Sequence, residues 1–251
     1  MKTLLSLIGA LVLSYVGFGL LLFFGQRSFL YYPTPDIEHD FEEEVFKTEV
    51  DLRVIVLNPS SDQAVLYFGG NADSMALNAP DLSIALPDFT VYLVNYRGYG
   101  GSGGAPTEAV LYSDALFLYD ELSSRHELIY LIGRSLGSGV ATYVAAEREV
   151  GKLVLITPFD SVVGIAGRYY PLYPTTLLVR DRYDSISRAE RIQSETLILV
   201  AEHDHVIPRV HSQQLAEALS HVSPKVQVLD GVEHNTISFH KSYFPLIRNF
   251  L

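Results

Sequence analysis

Seven short apolar runs recur between residues 53 and 229, and helix-length segments stand between several of them. The runs cover residues 53–57, 64–68, 90–94, 128–132, 153–156, 196–200 and 226–229. Most lack the polar alternation of a strand with one wet face, so they need cover on both sides. Segments 107–123, 136–147, 210–219 and 239–251 carry helical spacing of apolar residues. Strands alternating with helices of this length specify an α/β fold, a mostly parallel sheet with helices on both faces. There is no internal repeat and no low-complexity tract.

One segment stands outside that pattern. Residues 4–24 are 21 residues without a charge. As a helix they span about 31 Å, against a bilayer hydrocarbon core of about 30 Å. Eight Leu, three Phe, two Val and Ile8 supply roughly −6 kcal/mol on an insertion scale, which three Gly and two Ser only partly offset. A cleaved signal would have a shorter apolar region ending in small residues, whereas this one runs into Phe23-Phe24-Gly25-Gln26-Arg27. The expected organisation is a transmembrane anchor over residues 1–27 and one α/β domain over residues 28–251. Lys2 and the free amine lean weakly toward a cytoplasmic N-terminus. The lone Asn58-Pro59-Ser60 is no glycosylation sequon. The expected location is a single pass, in a bacterial inner membrane.

Composition narrows the chemistry. The chain contains no cysteine, which excludes disulfides, thiolate zinc sites, iron–sulfur clusters and a cysteine nucleophile. Eighteen basic against 29 acidic residues give a net charge of −11, and without a basic stripe nucleic acid is not an expected partner. The acid concentrates between Asp36 and Asp51, which reads as a solvated linker or an exposed edge.

Gly133-Arg134-Ser135-Leu136-Gly137 follows the run 128–132 and opens a helix rich in small residues. A sharp strand–turn–helix passage of this kind lifts a serine hydroxyl above the sheet edge. That hydroxyl needs a base, and the base needs an orienting acid. His234 comes just after the last run, and Asp204 just past 196–200. Both loops leave the carboxyl edge of the sheet, where sites of open α/β sheets lie. Asp160 is the reserve acid, with a simpler role as a helix cap. For a developing oxyanion, Leu136 offers one backbone N–H, and the loop Gly69-Gly70-Asn71-Ala72-Asp73 offers the second at Asn71.

Two other patterns carry less. Gly98-Tyr99-Gly100-Gly101-Ser102-Gly103 satisfies G-x-G-x-x-G, yet Asp120 and Glu121 lie inside a helix where a dinucleotide site needs an acid at a strand end. His203 and His205 flank Asp204 without further ligands near them in sequence, so no metal and no cofactor are expected.

Together these residues resemble the α/β-hydrolase superfamily, and within it the compact serine hydrolases with an N-terminal hydrophobic helix. The similarity covers nearly everything from Gln26 onward. It includes Gln26-Arg27 with Tyr31-Tyr32-Pro33, the stretch Asn95 to Gly104, and the Ser135, Asp204 and His234 loops in that order. Where the family shows His-Gly-Asn-Ala, this chain has Gly69-Gly70-Asn71-Ala72. The resemblance implies a Ser135–His234–Asp204 triad and an acyl ester or thioester substrate, a lipid or an acylated protein. A peptidase of the same fold and a non-catalytic anchored scaffold are the alternatives. Only 39 residues separate Ile156 from Thr196, room for helices at 159–169 and 180–192 but not for a large lid, so an open site near a bilayer is expected.

Overall fold

The computed structural model describes all of residues 1–251. Its eight strands are β1 (Glu42–Lys47), β2 (Asp51–Leu57), β3 (Gln63–Phe68), β4 (Thr90–Val94), β5 (Leu128–Arg134), β6 (Lys152–Ile156), β7 (Glu195–Ala201) and β8 (Lys225–Leu229). They form one sheet in the order β1-β2-β4-β3-β5-β6-β7-β8. Every pairing from β4 to β8 is parallel, and β2 is the one reversed strand. The helices are α1 (Lys2–Leu30), α2 (Met75–Ala85), α3 (Glu108–Ser123), α4 (Leu136–Glu147), α5 (Val162–Tyr169), α6 (Thr175–Leu178), α7 (Ser185–Arg188), α8 (Arg209–Ala218) and α9 (Tyr243–Phe250).

Successive strand residues point to opposite faces, so β2 to β7 each feed two cores, whereas β8, at the far edge, buries only Leu229. Val54, Val56, Leu66 and Phe68 pack under α3, α4 and α8, with Leu111, Leu118, Val140, Val144 and Leu215. Ile55, Leu57, Val65 and Tyr67 pack under α2 and α9, with Met75, Leu82, Ile247 and Phe250. Burying one such aliphatic side chain contributes about 1.5–3 kcal/mol, which is why the strands tolerate no polar alternation.

The structure adds elements to those expected. The acidic stretch is an exposed edge and contains β1, of whose residues only Phe46 is buried. Arg125 covers its ring, 5.4 Å from the centroid, and pairs with Glu44 at 2.6 Å. Charge on an edge strand discourages pairing with another sheet. Helix α2 was not expected, because Pro80 interrupts its pattern. Between β6 and β7 the helix expected at 159–169 is present as α5, the one expected at 180–192 shortens to α7 and a 3-10 turn, Ala189–Arg191, and α6 is added. Ser161 delays the start of α5, its hydroxyl accepting the Gly164 N–H at 2.9 Å. Pro171 and Pro174 break the chain beyond it. The closing helix begins at Tyr243, after a 3-10 turn over Ile237–Phe239.

Helix α1 has 29 residues, none of them buried, and is long and apolar enough to cross a membrane. Its C-terminal half is strapped to the segment holding α6. The Tyr15 and Tyr173 rings stack 4.6 Å apart and nearly parallel. The Tyr15 hydroxyl donates to the Leu172 carbonyl at 2.7 Å, and that of Tyr173 to the Tyr15 carbonyl at 2.9 Å. Gln26 accepts the Arg180 N–H at 2.7 Å and donates to the Leu178 carbonyl at 3.2 Å. Arg27 meets the buried Asp181 at 2.9 Å.

Candidate active site

Ser135 joins β5 to α4 with φ +49° and ψ −116°. A non-glycine residue there stores about 1–3 kcal/mol of backbone strain. Its surroundings hold it in place: the Ser135 N–H donates to the Ile156 carbonyl at 2.9 Å, and the Ser135 carbonyl accepts the Ser138 hydroxyl at 2.6 Å. The flanking glycines are required by space. A Cβ at 137 would strike the Phe68 carbonyl and sit 2.6 Å from the Gly69 carbonyl, and one at 133 would lie 2.5 Å from the Gly137 carbonyl. Glycine at 135 itself would relax the strain, partly offset by its greater freedom when unfolded. Ser135→Gly is therefore expected to be about 1 kcal/mol more stable than Ser135→Ala, raising the thermal midpoint by about 2–4 °C; equal melting temperatures would contradict the strain.

The strand-end loops bring the other two expected side chains to this serine. Asp204 follows β7, and its Oδ1 accepts the Val206 and Ile207 N–H groups at 2.9 and 2.7 Å. Its Oδ2 lies 2.7 Å from His234 Nδ1, and His234 Nε2 lies 2.9 Å from Ser135 Oγ. An ionised carboxylate can only accept, so Nδ1 carries the proton and Nε2 presents a lone pair to the hydroxyl. The Asp204 and His234 side chains are both buried, 2% and 7% exposed.

Asp160 is engaged elsewhere. Its Oδ1 receives His211 Nδ1 at 2.8 Å and the Ser161 N–H at 2.6 Å. The capping role expected of it falls to Ser161.

The loop after β3 packs directly on the serine: a Cβ at Gly70 would sit 3.4 Å from that of Ser135. Within this loop the Gly70 N–H donates to Asp73 and the Ala72 N–H to the Asn71 side chain, each at 3.1 Å. The N–H groups of Asn71 and Leu136 make no bond within the protein. Leu136 also opens the 12-residue α4, whose N-terminal partial positive charge faces the same place. The arrangement suits a negative charge developing beside Ser135.

Tyr96, Tyr99, Asn78 and Arg134, none of them given a role from sequence, hold this loop, the last two through its own Asp73. The Tyr99 hydroxyl donates to Asn71 Oδ1 at 2.8 Å, and that of Tyr96 to the Gly69 carbonyl at 2.8 Å. Burial pushes the Tyr96 hydroxyl well above its ordinary range and that of Tyr99 up to about 12, so both stay protonated donors. Asp73 also receives Asn78 at 2.8 Å and pairs with Arg134 at 3.2 Å. Burial works against the Arg134 charge, but Asp73 and neighbouring groups more than offset it and raise the guanidinium above its ordinary value. The glycine-rich run 98–103, similar in pattern to a dinucleotide loop, thus props the Asn71 loop through Tyr99. Tyr96 and Tyr99, three residues apart beside it, were the legible signal. At 69, where the family has histidine, a side chain would collide with Met75 and come within 3.4 Å of Asp73. His203 pairs with Glu202 at 3.5 Å, and the His205 carbonyl accepts the Tyr169 hydroxyl at 3.0 Å.

Known proteins are similar to this chain in sequence and fold. The family described as alpha/beta hydrolase fold matches residues 63–178, a stretch that includes Ser135. An uncharacterized protein of Mycobacterium tuberculosis is 35% identical over 181 residues, 70% of this chain and 64% of its own. The chain thus spans somewhat under two thirds of that relative's length. An uncharacterized membrane protein of Saccharomyces cerevisiae is 30% identical over 208 residues, 78% of this chain and 73% of its own. Among solved structures, a Pyrococcus furiosus esterase superposes with a TM-score of 0.67 at 21% identity, over 88% of this chain and 98% of its own. A Paleococcus ferrophilus monoacylglycerol lipase gives 0.62 at 18% identity, over 79% and 97%. At those identities the two structures speak to the fold alone. By sheet order, strand-end loops and sequence relatives alike, the chain belongs to the α/β-hydrolase family.

Proposed function

We propose that this chain is a membrane-anchored serine hydrolase that cleaves an acyl ester or thioester. The observation that carries the reading is the unbroken hydrogen-bonded path from Asp204 through His234 to Ser135, at 2.7 and 2.9 Å. Ser135 Oγ attacks the acyl carbonyl carbon as His234 Nε2 takes its proton. Asp204 keeps the imidazole in the reactive tautomer and stabilises the imidazolium that forms. The Asn71 and Leu136 N–H groups receive the oxyanion, and His234 returns the proton to the departing alcohol or thiol. Water then repeats the sequence on the acyl-enzyme and releases the acid.

Anchoring by α1 is supported by its hydropathy, 2.4 over its 18-residue window, and by a yeast relative described as a membrane protein. A fluorophosphonate probe, which reacts with activated serines, tests the site. The wild-type chain is expected to label and Ser135→Ala to stay blank; equal labelling of the two would overturn the assignment.

A further inference from the structure

Helix α1 and the segment carrying α5 and α6 flank an open cleft of about 260 Å³. Twelve of its 15 lining residues are hydrophobic. Leu22, Phe23 and Leu30 form one wall, and Val162, Ile165 and Ala166 the other. The segments that form the two walls are tied to the loops of the site already described. The anchor runs on into Tyr32, whose N–H donates to Asn71 at 2.8 Å, and α5 ends at Tyr169, which bonds the residue after Asp204.

The position of the cleft follows from the straps. Tyr15 and Arg27, the outermost of them, are twelve residues apart, about 18 Å along a helix. That is roughly one leaflet of a hydrocarbon core about 30 Å thick. With α1 across a membrane, the α6 segment therefore lies beside it inside the leaflet.

The composition of that segment agrees independently. From Tyr169 to Val179 there is no charge, with Arg168 on one side and Arg180 on the other. Leu172 and Leu177 are 79% and 81% exposed, an arrangement unfavourable in water and favourable in lipid. Its backbone is largely satisfied, as lipid requires. Two residues are proline, the N–H groups of Leu177, Leu178 and Val179 bond within the segment, and the Leu172 and Leu178 carbonyls accept from α1.

We propose that this cleft takes the hydrocarbon chain of a bilayer lipid, so that the anchor helix is also one wall of the acyl site. The inference rests on the hydrolase reading above and names its substrate class. A chain sliding from the leaflet between Leu22 and Ile165 meets mostly apolar side chains, with Gln26 and Asp181 among the polar ones, while its carboxyl ester, at the interface, is carried toward Ser135.

The test uses the full-length chain in vesicles, with C16 and C4 monoacylglycerols as substrates. Wild type is expected to favour C16 in kcat/KM by at least tenfold. Ala166→Trp and Leu22→Trp, which fill the cleft from opposite walls, are each expected to lower the C16-to-C4 ratio by tenfold or more. A wild type that prefers C4, or a ratio unmoved in both variants, would overturn the proposal. So would hydrolysis of a water-soluble S-palmitoyl peptide that is far faster than hydrolysis of the C16 lipid. If wild type fails to react with the fluorophosphonate, the hydrolase reading falls; if it labels without chain-length preference, only the cleft assignment falls.

Discussion

Ser135→Ala is expected to lower acyl-ester turnover by roughly 10⁵- to 10⁶-fold while leaving substrate binding largely intact. Removing the hydroxyl removes the covalent route, yet the Asn71 and Leu136 N–H groups still face a carbonyl in the site. A residual rate above the uncatalysed reaction should therefore survive. The clearest sign of concerted action is non-additivity. His234→Ala on its own should cost about as much as Ser135→Ala, and combining the two should cost little more. Steady-state kinetics on a chromogenic ester, with folded protein verified by circular dichroism, measures both. A double variant that lost the product of the single effects would mean that the two residues act independently, against the 2.9 Å contact between them.

Asp204→Asn should cost about 10⁴-fold in kcat with the fold preserved. Val206 and Ile207 donate to Asp204 Oδ1, and His234 Nδ1 faces Oδ2. With two donors fixing Oδ1 as the acceptor, the amide NH₂ of asparagine takes the Oδ2 position. It then turns a donor toward Nδ1 and forces the imidazole into the tautomer that cannot take the serine proton. The loss corresponds to about 5 kcal/mol of barrier. The contrasting variant is Asp160→Asn. That carboxylate holds His211 rather than His234, so its effect should fall on stability, by about 1–3 kcal/mol, with turnover within an order of magnitude of wild type. The reverse pattern would move the acid to Asp160.

The contrast between these two aspartates marks where sequence reasoning stops. Both follow a parallel strand, and nothing in their flanking residues says which loop reaches the histidine. That Ser135, a later acid and His234 would meet was legible because their loops leave the same sheet edge in a fixed order, a property of topology rather than of side-chain packing. The seven apolar strands were legible because strands covered on both faces read as short unbroken apolar runs. Strand β1 was hidden because Glu42, Glu43 and Glu44 carry the signature of a solvated run, and only Phe46 packs inward. Helix α2 was hidden by Pro80. Of the helices expected between β6 and β7, 159–169 was read three residues too long at its start, which Ser161 caps, and 180–192 shortens to α7 and a 3-10 turn. Asp73 and Arg134 remained unread because their pairing at 3.2 Å spans 61 residues and follows no local pattern.

The straps between α1 and the α6 segment, with the Tyr32–Asn71 bond beyond them, have a kinetic consequence. On the proposed anchoring, they tie the domain to its membrane helix, so the mouth of the site would keep one height and one heading above the lipid. Encounter with substrate then becomes a search within a plane. Velocity per enzyme should follow the mole fraction of substrate in the surrounding lipid, and should be indifferent to how much buffer the vesicles are suspended in.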